Sequence, residues 1–173
     1  MANEADFIAL RVAVLTVSDS RTEATDHAGR LLAERLDAAG HAVAERRILA
    51  DDIYAIRALV SRWIAEADID AVIATGGTGL TGRDSTPEAV QPLFDKPVDG
   101  FGEIFRAVSF EEIGTSALQS RAVAGVANRT FLFVLPGSPG ACRSAFDRII
   151  RHQLDHRTRP CNLVELRPRL DGP

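Results

Sequence analysis

The sequence predicts an α/β protein, a three-layer αβα sandwich around a central, mostly parallel sheet. Two observations carry this. Strand-like runs alternate with helix-period segments along the chain, which is the pattern of a parallel sheet covered on both faces. The first run, Arg11 to Val17 (RVAVLTV), is short and rich in β-branched residues, as a strand buried on both sides should be. A consequence follows for function. Three unusual loops, Ser18 to Arg21, Thr75 to Asp84 and Pro136 to Pro139, each follow a strand-like run. In such sheets ligands sit outside the carboxyl ends of the strands, so three loops at that edge make one pocket.

The elements follow in order. After Arg11–Val17, the residues Ala28, Leu31, Leu32, Leu36 and Ala39 share one face of a helix, and Gly40 is placed to end it. Ala42 to Leu49 reads as the second strand. Asp52 can cap the next helix, whose apolar stripe is Ile56, Leu59, Val60, Trp63, Ile64 and Ala67. Ala71 to Ala74 is a third strand and runs into a glycine-rich loop. Thr86, Pro87 and Glu88 read as a helix start, with a hydroxyl cap, proline at the first helical position and an acid in the first turn. Gly100 to Glu112 reads as a helix. Val123 to Val126 and Phe131 to Leu135 read as strands joined by a tight turn at Asn128 and Arg129, and a long helix follows Pro139 through Leu154.

The chain has 173 residues, 46% apolar and 25% charged, which suits a single domain over residues 1–173. Residues 1–8 and 167–173 are expected to be flexible ends. The net charge of −4 argues against coating a phosphate backbone, so nucleic acid is not an expected partner. Lys96 is the only lysine. There is no basic segment followed by an apolar run at the start, and no apolar stretch of ~18 residues, so neither a signal peptide nor a membrane span is expected. A cytoplasmic protein with reduced thiols at Cys142 and Cys161 is the simplest expectation.

The loop after the third strand reads TGGTGLTGRDST. Gly77, Gly79 and Gly82 match the spacing of a dinucleotide fingerprint, but they follow the third strand rather than the first. A P-loop also fails, because Arg83 and Asp84 stand where lysine and a hydroxyl are required. What the glycines do imply is exposed backbone amides that can approach a flat or anionic ligand closely. Acids flank several strand ends: Asp19, Asp51, Asp52 and Asp84. A metal ion shared with substrate phosphates would reconcile so many acids with an anion pocket. Ser138 precedes Pro139 at a helix start, and is either a phosphate contact or a plain cap. His152 and His156 are four apart on a helix but lack a third ligand, and are read as surface residues.

Three stretches go further: TGGTGLTGRDSTPEAV (Thr75 to Val90), GFGEIFRAVSFEEIGTSALQSRAVAGVAN (Gly100 to Asn128) and LPGSPGACRSAF (Leu135 to Phe146). Together they resemble the molybdopterin-binding family of molybdenum cofactor biosynthesis. That family includes MoaB-type proteins, MogA-type adenylyltransferases and the G domain of gephyrin, and the second half of the chain resembles the MoaB type in particular.

The resemblance implies a mostly parallel α/β fold, a pocket at the carboxyl edge, and homo-trimers or hexamers. In adenylylating members, ATP and molybdopterin give adenylylated molybdopterin and pyrophosphate. Carried over, it implies that Asp84 is catalytic and holds Mg²⁺, with Asp52 (or its neighbour Asp51) as second acid and metal ligand. Gly76, Gly77, Thr78 and Gly79 would surround the ligand, with Ser18 and Asp19 at the neighbouring loop. Glu103 matches a pocket glutamate, Ser120 and Arg121 a paired motif, and Pro136, Gly137 and Ser138 a loop on the terminal phosphate. The loop GTGLTGRD is of the MoaB type, and that branch admits an alternative: a non-catalytic molybdopterin carrier, or an oligomeric scaffold, that hands over to other molybdenum cofactor enzymes.

Overall fold

In the computed structural model, which describes residues 6–170, six strands form one sheet. They are β1 (Arg11–Val17), β2 (Ala42–Leu49), β3 (Ala71–Thr75), β4 (Lys96–Pro97), β5 (Val123–Ala127) and β6 (Thr130–Leu135), in the order β2-β1-β3-β6-β5-β4. The pairs β1–β2, β1–β3 and β3–β6 are parallel, while β5 runs antiparallel to both β6 and β4. The hairpin from β5 to β6 turns on Asn128 at φ 43° and Arg129 at φ 72°. Two successive positive φ values are what a two-residue hairpin needs to match the twist of its strands.

Alternate residues of the central strands enter two separate cores. Val12, Val14, Ile73, Phe131 and Phe133 face one side, while Ala13, Leu15, Val72, Leu132 and Val134 face the other. That period of two, apolar in both phases, makes the middle of the sheet the buried layer. The first core is closed by α1 (His27–Ala38), α4 (Asp99–Ile113) and α5 (Pro139–Ala145), through Leu32, Leu36, Phe101, Phe105 and Cys142. The second is closed by α2 (Ile53–Ala65) and the short α3 (Thr86–Val90), through Ile56, Val60, Trp63 and Val90. The expected three-layer αβα architecture is therefore present.

The expected strands and helices recur within a residue or so of their predicted ends, except that α2 stops at Ala65 and leaves Ala67, expected in its apolar stripe, exposed in a turn; Gly40 follows α1 at φ +88°. Three features differ. β4 was not foreseen, because two residues at a sheet edge carry no periodicity. The long helix after Pro139 does continue to α6 (Arg151–Gln153), but through a π turn at Phe146–Ile150. Thr86 is not the cap of α3: the helix begins at Thr86 itself, whose hydroxyl is buried without a partner. The preceding Ser85 does not cap either, since its hydroxyl donates to Asp51.

Of the expected flexible ends, residues 1–5 and 171–173 lie outside the described residues. Val164–Arg169 forms a 3₁₀ turn, and Arg167 pairs with Asp70. Among the described residues, no helix is long and apolar enough to cross a membrane.

Candidate functional site

The neighbouring strands β1, β3 and β6 end at the same edge, and the loops that leave them meet there. Gly76 is the point of closest approach. It sits at φ +97°, and a Cβ added to it would run into the Val17 carbonyl. Its amide donates to the Leu135 carbonyl at 3.0 Å, and Gly137 comes so near that a Cβ there would stand 3.2 Å from the Gly76 Cα. Only glycines allow three backbones this close together. Between them lies a pocket of about 270 Å³, walled by Ser18, the run Gly76–Gly79, Asp84 and Gly137. The pocket predicted from the order of strands and loops is thus present.

Asp84 closes the glycine loop by folding its carboxylate over Gly79, where a Cβ would fall 2.5 Å from Asp84 Oδ2. That oxygen accepts from the Thr81 hydroxyl at 2.5 Å and the Thr81 amide at 3.0 Å. The Thr81 hydroxyl is the chief cause that holds the Asp84 carboxyl below its ordinary range, against a smaller opposing effect of desolvation. Asp84 is therefore an anion at neutral pH.

The other acids divide. Asp52 caps α2, with Oδ1 accepting from the amides of Tyr54 at 2.9 Å and Ala55 at 2.8 Å. Asp51 instead turns toward the glycine loop. It accepts from the Ser85 amide at 3.1 Å and from the Ser85 hydroxyl, and its Oδ2 lies 2.6 Å from where a Gly77 Cβ would be. Asp19 bridges loops: it takes both a bidentate contact from Arg83, at 2.7 and 3.1 Å, and the Asp51 amide at 3.0 Å. The Arg83 hydrogen bond is the largest cause that lowers the Asp19 carboxyl.

Several sequence-predicted residues stand behind the pocket or away from it. Arg121 reaches the outside of the glycine loop, with Nε donating to the Thr78 carbonyl and Nη2 to the Asp84 carbonyl. The Ser120 hydroxyl is buried without a partner. Ser138 caps α5 by accepting from the Ala141 amide at 3.2 Å, and the Pro136 carbonyl accepts from the Thr75 hydroxyl at 2.9 Å. Glu103 lines a different depression of about 340 Å³, beside Asp99 and Arg106, between α4 and β5.

The sequence placed Arg21 at the pocket only as part of its loop, and it missed Asp26 and His27. An aspartate one step before a helix pattern was the available signal for Asp26. Its Oδ1 accepts from the Gly29 amide at 2.8 Å, and its Oδ2 from the Thr16 hydroxyl at 2.9 Å and Arg46 at 2.8 Å. Burial would raise this carboxyl, but Arg46 and the two other donors outweigh it and hold it low. Cys142 sits under the pocket floor, 3.1 Å from the Thr75 hydroxyl. Burial pushes its thiol up to about 11, which is the wrong direction for a nucleophile. Among the described residues, no three His, Cys, Asp or Glu side chains gather as a metal cluster.

Residues 13–156 match the family model described as "Probable molybdopterin binding domain". The chain belongs to the molybdopterin-binding family. Molybdenum cofactor biosynthesis protein B of Escherichia coli (strain K12) is 58% identical over 157 residues, covering 91% of this chain and 92% of that protein. A crystal structure of molybdenum cofactor biosynthesis protein B superimposes with a TM-score of 0.83 at 45% identity, covering 85% of this chain and 92% of the other. The molybdopterin biosynthesis Mog protein of Mycobacterium ulcerans superimposes with a TM-score of 0.75 at 30% identity, over 84% and 97%. The family resemblance is borne out, and the part of its first stretch from Thr75 to Asp84 supplies one wall of the pocket described above.

Proposed function

We propose that this chain works in molybdenum cofactor biosynthesis, binding molybdopterin in the strand-end pocket and adenylylating it with Mg-ATP. The observation that carries the reading is the ionised Asp84 carboxylate, folded over Gly79 on the wall of a pocket made from three strand-end loops. Family membership names the pterin.

The residues fit a magnesium ion in one respect. Mg²⁺ favours one or two carboxylates together with substrate phosphates and retained water, so an ionised aspartate on the pocket wall is a suitable donor. Asp84 and Asp26 are the carboxylates that line the pocket, and Asp26 is already paired with Arg46. As second acid and ligand, Asp51 suits better than Asp52, because Asp51 faces Gly77 while Asp52 is occupied with the amides that start α2. When bound, the ion would neutralise charge between two phosphates that otherwise repel.

The chain's own residues then supply position. The amide-rich run Gly76 to Gly79 lies against the ligand's ring and phosphate, with no side chains but that of Thr78 to hold them apart. Asp84 fixes the loop end at the reacting phosphates. A molybdopterin phosphate oxygen bonds to the α-phosphorus of ATP as the bond to the β-phosphate oxygen breaks, and pyrophosphate leaves. Alignment of these groups supplies most of the rate.

The test is pyrophosphate release from molybdopterin, ATP and Mg²⁺. Release by the wild type that is lost in Asp84→Asn supports the adenylyltransferase. A second reading, a carrier that binds molybdopterin without turnover, is favoured by one observation: Asp84 and Asp51 already accept from the hydroxyls of Thr81 and Ser85. Tight molybdopterin binding with no pyrophosphate would decide for it. In either case the proposed setting is the cytoplasm, and the proposed state is a homo-oligomer, trimer or hexamer, handing product to another enzyme of the pathway. The oligomer is supported by Ile104, Phe110, Ile113 and Leu118, large apolar side chains exposed along α4 and the 3₁₀ turn (Gly114–Gln119) after it.

A further inference from the structure

The charged side chains on the pocket wall fall into two kinds. The acids are engaged: Asp26 by Arg46, Thr16 and the Gly29 amide, and Asp84 by Thr81. The basic residues are Arg21 and His27, and among the described residues neither side chain has a hydrogen-bond or ion-pair partner. With the acids already engaged, the side chains of Arg21 and His27 still have donors to offer a ligand.

These two residues also stand on a braced segment. The Ser18 hydroxyl accepts from the amides of Ser20 at 3.3 Å and Arg21 at 3.2 Å. The Thr22 amide donates to the Thr25 hydroxyl at 2.9 Å, and the Asp26 amide to the Thr22 carbonyl at 2.8 Å. The Asp26 side chain anchors the end of the segment to β1 and β2 through Thr16 and Arg46. The backbone beneath Arg21 and His27 is therefore set before a ligand arrives, and only the side chains must be ordered on binding.

We propose that Arg21 and His27 recognise a phosphate ester in this pocket, together with the amides of the glycine loop. This rests on the molybdopterin reading above and deepens it by assigning the phosphate to two named side chains. Arg21 offers a planar fork of donors that matches phosphate oxygens, and His27 a ring N–H. Molybdopterin and ATP both carry the required group, so the chemistry is shared and the experiment separates the sources.

Calorimetric titrations would use wild type, Arg21→Gln and His27→Gln, each with molybdopterin, with phosphatase-treated molybdopterin and with Mg-ATP. Each variant is expected to bind one of the phosphorylated ligands about tenfold more weakly, the scale of one lost charge-assisted hydrogen bond. The loss should vanish with phosphatase-treated molybdopterin when the pterin phosphate is the group held. A loss confined to Mg-ATP would give the site to the nucleotide's phosphates, also as proposed. Unchanged affinity for both phosphorylated ligands would overturn the assignment and leave the molybdopterin reading intact, as would an equal loss with the dephosphorylated pterin. Wild type that bound neither molybdopterin nor ATP would overturn both.

Discussion

Arg121 donates to the Asp84 carbonyl at 2.9 Å, and the same guanidinium donates to the Thr78 carbonyl at 3.1 Å. It thereby ties together the two ends of the loop that carries the proposed catalytic carboxylate, and Glu88 holds its remaining nitrogen. Arg121 acts through the loop rather than on the ligand. Arg121→Ala is expected to cost about 1–3 kcal/mol of stability, because two partly buried carbonyls lose a charged donor. Arg121→Lys should recover little, since a point ammonium cannot span both carbonyls as the planar fork does. Thermal melts and molybdopterin titrations check this. A lysine variant equal to wild type in both would refute the clasp.

The two ends of the glycine run should respond differently to substitution. Gly76 combines φ +97° with a Cβ position blocked by the Val17 carbonyl, so Gly76→Ala must move backbone on two strands at once. A loss of about 2 kcal/mol or more, with loss of ligand binding, is expected. Gly82 has nothing within 4 Å of its Cβ position, and Gly82→Ala should lie within about 0.5 kcal/mol of wild type. Equal effects at the two positions, read by denaturant midpoints, would show that close packing is not what the glycine loop needs.

The alternating pattern of strands and helices was legible because β1, β3 and β6 are buried on both faces, so their composition betrays them without tertiary knowledge. The pocket was legible for the same reason, since loop position follows from strand order. The individual acids were legible only in part. Asp52 could be read as the cap of the second helix, but nothing local showed that its neighbour Asp51 would face Gly77. Thr86 looked like a cap because local sequence cannot show that Ser85 would turn to Asp51, 34 residues away. Arg21 and His27 carried no motif; the turns that place them use side-chain hydrogen bonds within one short segment.

Glu45 on β2 should set part of the acid limit of stability. It accepts from Trp63 Nε1 at 2.8 Å, Arg47 at 2.5 Å and Arg62 at 2.9 Å. The Trp63 contact is the largest of the causes that bring its pKa down to about 2 from the ordinary 4.5. With the folded value below the unfolded one, the stabilisation is complete above about 4.5 and is lost as the pH falls toward 2. Glu45→Gln should therefore melt below wild type at pH 7, with the gap narrowing through that acid window. A gap that stayed constant with pH would mean that charge is not the cause.

The exposed face of α4 supplies the prediction about assembly. Ile104, Phe110 and Ile113 are 54%, 60% and 58% exposed, and Leu118 beyond them is 83% exposed. Single exposed apolar residues are ordinary, but a succession of large ones along one helix and its following turn is costly to leave in water. The same helix buries Phe101, Phe105 and Val108 against the sheet, so it cannot rotate to hide the outer set without losing the inner one. A second copy of the chain is the occupant proposed above. Light scattering should then give a mass that is a multiple of 18.7 kDa, and Phe110→Asp should shift it toward a single chain without lowering the helix content seen by circular dichroism. Wild type that ran as one chain at micromolar concentration would end the oligomer proposal. An unchanged multiple in the aspartate variant would move the interface off α4.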